Sequence, residues 1–200
     1  MPQVLSVAKE LVKLSLSGEE ADPLTNLRLQ KLLYYTQAWS LIIRESELFS
    51  DEIEAWRHGP VVPAVYQVLR NTPIHPDAFA TAPDLQAEEA NFVRHVWEAY
   101  NQYSALQLSR MTHAESPWRK AWGERPTDGS GNDPISVIDL EDFFGKQTIP
   151  APLAAYGHEL RKREEAAERE LAEMAPLDIG RLMAAAKSFS PSAKILSGGG

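Results

Sequence analysis

Five histidines have the widest chemical range of the side chains in this sequence, because imidazole can ligate a metal or accept a proton near neutral pH. They are His58, His75, His95, His113 and His158. No two have the HxxxH or HExxH spacing of a helical zinc site, and none stands beside a pair of carboxylates that would complete a metal site. The chain contains no cysteine, which excludes thiolate ligands and disulfides. We therefore expect no bound metal and no cofactor.

Nucleophilic catalysis is the second chemistry to consider, and it would centre on His113. His113 and Glu115 could orient a proton acceptor for a nearby hydroxyl, which would describe a small hydrolase. The hydroxyl candidates are Ser104, Ser109, Thr112 and Ser116. However, the sequence has no GxSxG elbow and no GxGxxG or GKS/T phosphate loop. Adjacent polar residues in a turn more often form a structural hydrogen-bonded corner. We predict that the protein is not an enzyme and keep the hydrolase as an alternative.

The charge balance limits the class of partner. The 200 residues include 28 acidic and 20 basic side chains, giving a formal net charge of -8. A surface that binds duplex DNA normally has a basic excess, because neutralising phosphates drives the affinity. A partner protein with a basic face is therefore expected, rather than nucleic acid. A basic run, Arg161 to Arg163, keeps a DNA-binding autoregulator as a further alternative.

No segment of the sequence predicts export or membrane insertion. Lys9, Glu10 and Lys13 interrupt the first residues, which therefore do not form the apolar region of a signal peptide. No stretch approaches the roughly 18 uninterrupted apolar residues of a membrane span. We expect a cytoplasmic protein without a membrane partner.

Helical periodicity dominates the first part of the chain. Apolar residues recur at helical spacing over residues 3–16. A second helix, over residues 25–44, is apolar around most of its circumference, which predicts the central helix of the core. The period then changes, and residues 53–56 predict a short strand that ends at the Gly59-Pro60 turn. Helical spacing resumes over residues 63–70.

Capping residues predict two shorter helices further along. Ser104 with Gln107 three residues later has the pattern of a capping box, which starts a helix that we expect to end at Met111. Ser116 is expected to cap the next helix, with Pro117 at its first position.

Periodicity and turn residues predict the rest of the helical body. A helix is expected over residues 85–103. Residues 127–134 predict a flexible loop, followed by a strand bridge at Ile135. Ser136 is then expected to open a helix that continues through Phe144.

The composition changes after Gln147. Residues 153–175 are rich in Ala, Glu and Arg and predict a charged helix with a thin apolar stripe. We divide the chain into a helical domain (1–148), a charged C-terminal helix (149–175) and a flexible tail (176–200). The predicted fold class is mainly α: a compact multi-helix domain with a minor short-strand element, followed by that helix and tail.

Three aromatic-rich blocks are the most unusual patterns. They are Leu29 to Trp39 (LQKLLYYTQAW), Ala55 to Val62 (AWRHGPVV) and Tyr103 to Trp118 (YSALQLSRMTHAESPW). Such blocks describe aromatic helices of a core joined by turns that proline makes rigid. Lys31 lies inside an otherwise apolar helix and needs a partner. We expect an acidic residue in the facing segment.

These blocks carry a family resemblance. The chain resembles the Panacea-domain (SocA-like) antitoxin family, whose pattern is Leu-Gln-Lys-Leu-Leu-Tyr-Tyr, then Ala-Trp-x-x-Gly-Pro-Val-Val-Pro, then Tyr-Ser-x-x-x-Leu-Ser-x-x-Thr-His-x-x-x-Pro-Trp. All three blocks occur here in that order, within roughly Val4 to Phe144. The resemblance implies a mainly helical antitoxin, often phage-associated, that neutralises a cognate toxin by direct protein binding. It also implies a proteolytic adaptor that delivers the toxin to the ClpXP protease, with ClpX as a second partner.

The residues that would contact a partner are not defined by the family pattern. Interfaces favour Trp, Tyr, Met and Arg around a centre that excludes water. We expect the turn at residues 56–58 and the corner at residues 111–113 to lie close together, with the tryptophans in the core. The candidate partner-binding residues are Arg57, His58, Met111 and His113, and no residue is assigned a catalytic role.

Overall fold

The structure is a computed structural model that describes residues 3–17, 22–126 and 128–174. These ranges contain eight α-helices, one 3-10 helix and three short strands. The α-helices are α1 (Val4–Leu16), α2 (Asn26–Ile43), α3 (Pro63–Leu69), α4 (Ala87–Tyr100), α5 (Ala105–Ala114), α6 (Ser116–Trp122), α7 (Val137–Phe144) and α8 (Ala151–Met174). The strands are β1 (Glu54–Trp56), β2 (Gly59–Val61) and β3 (Asp133–Pro134), and the 3-10 helix is Pro76–Phe79. The predicted mainly α fold with a minor strand element is confirmed.

The chain divides into two compact units, Met1–Gly157 and His158–Gly200, and α8 contains the point of division. In the first unit, Leu153 and Tyr156 of α8 are buried. In the second, the described side chains of α8 are mostly exposed, and Leu171 is 68% exposed. The charged helix is therefore confirmed. The predicted tail lies outside the described residues, and the predicted boundary after residue 148 stays a prediction.

Helix α2 is the centre of the first unit, as its apolar pattern predicts. Thr25 caps it by accepting a hydrogen bond from the backbone N–H of Arg28 at 3.2 Å. Fourteen of its 18 residues are buried, and it contacts α1, α4, α5, α7 and β2. The Tyr35 ring stacks on Tyr100 with centroids 4.2 Å apart, and the indole N–H of Trp39 donates to the Tyr100 hydroxyl at 2.7 Å. An aromatic cluster thus joins α2 to α4.

Two glutamines of α2 hold the non-helical segment that follows it. The side-chain oxygen of Gln37 accepts hydrogen bonds from the backbone N–H groups of Leu48 and Phe49 at 3.0 and 3.2 Å. Its amide nitrogen donates to the Phe49 carbonyl at 2.9 Å. Two helical turns earlier in α2, the Gln30 side-chain oxygen accepts from the Val62 N–H at 2.7 Å. These bonds satisfy backbone groups that are buried away from any neighbouring strand.

The three strands form one small antiparallel sheet in the order β2-β1-β3. Trp56 pairs with Gly59, so Arg57 and His58 form a two-residue turn between β1 and β2. On the other side of β1, Asp133–Pro134 pairs with Glu54 and Ala55. The flexible loop predicted to run to Pro134 therefore ends in a strand. The bridge predicted at Ile135 is also wrong, although the Ile135 N–H donates to the Ile53 carbonyl at 2.7 Å.

The structure confirms one predicted helix start and corrects another. The capping box is present: the Ser104 hydroxyl accepts from the Gln107 N–H, and the Gln107 side chain accepts from the Ser104 N–H at 2.8 Å. Helix α5 continues to Ala114 rather than ending at Met111. Only Glu115 then separates it from α6, so Glu115 takes the extended N-cap conformation. The predicted cap at Ser116 is wrong, because that residue already begins the helix.

Lys31 of α2 is fully buried and has no acidic partner among the described residues. The prediction that an acidic residue faces it is therefore wrong. Its ammonium nitrogen, Nζ, donates to the carbonyl of Pro60 at 2.8 Å. Burial removes the hydration of the charged amine and lowers the pKa of Lys31 to about 7. A carbonyl dipole can bind a neutral amine as well as a charged one, so the site does not require an ion pair.

Gly59 makes room for this lysine. Its φ of +95° lies in the region that residues with a side chain avoid. A Cβ placed there would lie 2.8 Å from both Cε and Nζ of Lys31 and from Oγ1 of Thr112. Glycine is required at this position both by the backbone conformation and by the close approach of α2 and α5 side chains.

Replacing Gly59 with alanine should therefore destabilise the fold through two effects. Backbone strain of about 1–2 kcal/mol adds to steric overlap of about 1–3 kcal/mol. We expect urea unfolding to show a loss of about 2–5 kcal/mol. Gly123→Ala is the control, because Gly123 also has a positive φ of +67° but has open space where a Cβ would lie. Equal losses in the two variants would contradict the steric argument.

The lowered pKa of Lys31 predicts a pH-dependent stability. Between about pH 7 and the usual lysine value of 10.5, the unfolded chain holds a proton that the folded chain has released. The free energy of unfolding should therefore rise with pH across this window, by a few kcal/mol in order of magnitude. Lys31→Met should remove that rise, and it should lower stability at pH 9 because the Pro60 carbonyl loses its donor. The exposed Lys146→Met is the control; an unchanged pH slope in Lys31→Met would contradict the assignment.

Candidate functional site

The turn between β1 and β2 is fixed by side chains from α5 and α6. The indole N–H of Trp118 donates to the Trp56 carbonyl at 3.0 Å. The Nε2 atom of His113 lies 3.0 Å from the Arg57 carbonyl, and the Ser109 hydroxyl donates to the His58 carbonyl at 3.1 Å. Three consecutive carbonyls thus meet side chains of later helices. We call the four side chains that bind backbone carbonyls of residues 56–60 the hairpin clamp: Lys31, Ser109, His113 and Trp118.

The hairpin clamp binds the backbone of the turn and leaves its side chains exposed. Arg57 and His58 both point into solvent, while His113 is partly buried and Met111 is half-buried. The His113 ring also packs against Trp118, with centroids 4.1 Å apart. The turn at residues 56–58 and the corner at residues 111–113 therefore lie together, as expected from the sequence.

Two clefts lie beside the turn. Arg57 and His113 line one of about 370 Å³, and Arg57 and His58 line another of about 390 Å³ that includes Tyr66. Met111 lines neither of them. The structure therefore groups three of the four candidate partner-binding residues around the turn and places Met111 apart from these two clefts. Trp56 is half-buried, and Trp118 is buried with 7% of its surface exposed.

His113 is engaged by backbone carbonyls at both ring nitrogens. Its Nδ1 lies 2.5 Å from the Ser109 carbonyl, and its Nε2 lies 3.0 Å from the Arg57 carbonyl. The Ser109 hydroxyl is 3.5 Å from Nδ1 but donates to the His58 carbonyl. Glu115 binds elsewhere, because its carboxylate accepts from the Tyr35 hydroxyl at 2.8 Å. His113 and Glu115 thus have separate hydrogen-bond partners, and the carboxylate does not orient the imidazole as it would for a catalytic base.

Glu115 occupies a pocket of aromatic side chains between α2 and α5. Burial raises the pKa of Glu115 to about 7, and the nearby hydroxyls of Tyr34 and Tyr35 partly offset that rise. The same burial, together with the nearby carboxylate, raises the pKa of both tyrosines. Both tyrosines keep their hydroxyl protons at neutral pH, and the Tyr35 hydroxyl holds the carboxyl group by donating to it.

The remaining candidate chemistry has no assembled site. No group of three His, Asp or Glu side chains in the described ranges is placed to hold a metal ion. In the basic run at residues 161–163, Arg163 pairs with Glu159 at 3.9 Å on the same face of α8. Within the part of the chain that is described, no helix is both long and apolar enough to cross a membrane.

A second group of cations was not anticipated from the sequence. Arg119, Lys120 and Arg125 line a cleft of about 680 Å³ together with His113 and Trp118. Two of them stand next to each other directly after Pro117-Trp118, which was the available signal. The acidic net charge gave no sign of this basic group, because a formal charge is summed over the whole chain and does not describe one face of the protein.

Comparison with known proteins finds similarity in the segment that contains the hairpin clamp. Residues 29–119 match the family model described as antitoxin SocA-like, Panacea domain. A protein named Antitoxin SocA, from Caulobacter vibrioides (strain NA1000 / CB15N), is 30% identical over 110 residues, covering 48% of this chain and 58% of that relative. The chain thus matches little more than half the length of this curated relative. No solved structure matches the chain.

The matched segment begins in α2 and ends in α6, so it contains all four side chains of the hairpin clamp and the turn that they bind. Residues 150–174, which lie outside the family pattern, are also outside the match. Over residues 29–119, this chain is therefore similar to the SocA-like antitoxin Panacea domain.

Proposed function

We propose that this protein is an antitoxin that neutralises a cognate toxin by binding it directly. The similarity to the antitoxin family model over residues 29–119 supports this role, as does the name of the Caulobacter relative, Antitoxin SocA. The structural observation that carries the proposal is the hairpin clamp. It presents Arg57 and His58 on a backbone that is already fixed, which reduces the ordering cost of association.

We place the toxin contact at this turn. Arg57 and His58 are its main contributors because their side chains are exposed, and arginine is enriched among residues that dominate binding energy. His113 contributes less through its side chain, since both ring nitrogens already meet backbone carbonyls. Met111 is half-buried and lies at the margin of the surface. The role is regulatory rather than catalytic, because the groups that resembled a catalytic site support the backbone.

We further propose that the toxin is handed to the ClpXP protease in the cytoplasm. The second contact would use α8 beyond His158 and the residues that follow it. The described side chains of this part of α8 are almost all exposed, and they are rich in Glu and Arg. A segment that buries little of its own surface can gain binding energy by ordering on a partner.

Co-expression with the product of an adjoining gene tests the antitoxin role. We expect a product that stops growth when expressed alone, and both growth rescue and co-purification when this chain is present. The double variant Arg57→Glu with His58→Ala should weaken co-purification about tenfold or more, because it removes exposed contacts without altering the carbonyls that the clamp binds.

The matched control for this experiment is Arg70→Glu with His158→Ala, which changes the same residue types at other exposed positions. It should bind like the unmodified chain. Absence of any toxic product, or rescue by a reaction that consumes a small substrate, would argue against the antitoxin role. If the turn variant still binds the toxin, the proposed contact surface would be contradicted, but the antitoxin role would not.

Removing residues 176–200 tests the handover to the protease. We expect the truncated chain to bind the toxin with unchanged affinity, because the hairpin clamp is retained, and to support slower toxin degradation by purified ClpXP. The measurement is a degradation time course run beside a binding titration. An unchanged degradation rate would exclude these residues from the handover.

A further inference from the structure

A basic surface runs along α5 and α6, opposite in sign to the chain as a whole. Two clefts, of about 370 and 680 Å³, share His113 and Trp118 and therefore adjoin each other. Among the described residues, their walls carry five cationic side chains and no aspartate or glutamate. The cations are Arg57, Arg110, Arg119, Lys120 and Arg125. We call the two clefts together the basic cleft.

Three of these cations have no ion-pair partner within the described ranges. Lys120 pairs with Asp139 and Arg125 with Asp133, each at 2.5 Å. Across residues 3–17, 22–126 and 128–174, no carboxylate lies within ion-pair distance of Arg57, Arg110 or Arg119. All three side chains are exposed. In a chain of net charge -8, which has more carboxylates than cations, three free guanidinium groups around one cleft indicate a surface reserved for an anionic ligand.

The aromatic rings beneath the cleft limit which anion fits. Trp118 and Trp122 stack on each other with centroids 5.2 Å apart, and they are only 7% and 4% exposed. Base stacking, which supplies much of the affinity for single-stranded nucleic acid, needs an open aromatic face. These rings form the floor of the cleft and do not offer an open face on which a base could stack. The overall negative charge further disfavours a long polyanion.

We propose that the basic cleft binds an acidic segment of a partner protein, with its carboxylates bound by Arg57, Arg110 and Arg119. Guanidinium groups bind carboxylates through two parallel hydrogen bonds, which gives both strength and orientation. The apolar floor formed by Trp118 and Trp122 accommodates an aliphatic side chain between the carboxylates. This inference goes beyond the antitoxin role, because it assigns the ligand chemistry of a surface and holds whichever protein supplies the segment.

Binding of a defined peptide to the full chain tests the inference. The probe is a fluorescein-labelled peptide of three Glu-Glu-Leu repeats, compared with three Gln-Gln-Leu repeats and with a labelled oligothymidine of similar length. We expect saturable binding of the glutamate peptide by fluorescence polarisation, which weakens as the salt concentration rises. Arg110→Glu with Arg119→Glu should weaken it about tenfold or more, because like charges then face the ligand.

The matched control is Arg70→Glu with Arg94→Glu, which makes the same change in net charge at exposed positions that do not line the basic cleft. It should bind the peptide within about twofold of the unmodified chain. Circular dichroism checks that both variants fold. If Arg110→Glu with Arg119→Glu does not fold, Arg110→Gln with Arg119→Gln replaces it. The affinity of that variant for the glutamate peptide should still be several-fold lower than that of the unmodified chain.

Three outcomes would overturn the inference: no saturable binding of the glutamate peptide, equal binding of the glutamine peptide, or equal losses in the cleft variant and its control. Tighter binding of the oligothymidine would assign the surface to nucleic acid instead. None of these outcomes depends on toxin binding, so failure here is distinguishable from failure of the antitoxin role.

Discussion

The fold depends on burying a segment that has little regular secondary structure. Residues 44–62 pass beside α2 with only two three-residue strands, and each buried backbone group left unpaired would cost about 1–3 kcal/mol. Side chains of the neighbouring helices supply the missing partners: Gln37 and Gln30 bind backbone amides, and Lys31 and the rest of the hairpin clamp bind carbonyls. This requirement explains why the central helix carries buried polar residues on an otherwise apolar surface.

The same requirement determines which side chains remain free for function. Ser109 and His113 would be natural candidates for catalysis in an isolated motif, yet both bind carbonyls of the turn. Arg57 and His58 contribute those carbonyls and keep their own side chains in solvent. The chemically versatile side chains of the hairpin clamp thus support the backbone of the turn. The short polar turn itself is held in place and stays exposed. In the proposed function, this fixed turn is the surface that the partner protein would contact.

Burial also controls the charges inside the unit. Lys31 lies on α2 and Glu115 lies between α5 and α6, and loss of hydration moves the pKa of each to about 7 from opposite directions. Both groups can therefore be neutral near neutral pH, so the core tolerates them without pairing them. Most other charges lie at the surface, where their distribution is uneven. Although the net charge of the chain is -8, the described residues that line the basic cleft include five cations and no carboxylate.

The sequence by itself determined the elements and the fold class. Period, capping residues and the Gly59-Pro60 pair predict most helices and the first strand, because these signals depend on neighbours within a few positions. It also showed the similarity to the SocA-like Panacea domain, since the three blocks are read in order along the chain. Only the tertiary structure decided the partner of Lys31, the pairing of Asp133 with β1, the carbonyl partners of His113 and the placement of Arg57, Arg110 and Arg119 along two adjoining clefts. Each of these is a contact between distant segments, and such contacts depend on how helices pack rather than on any local pattern of residues.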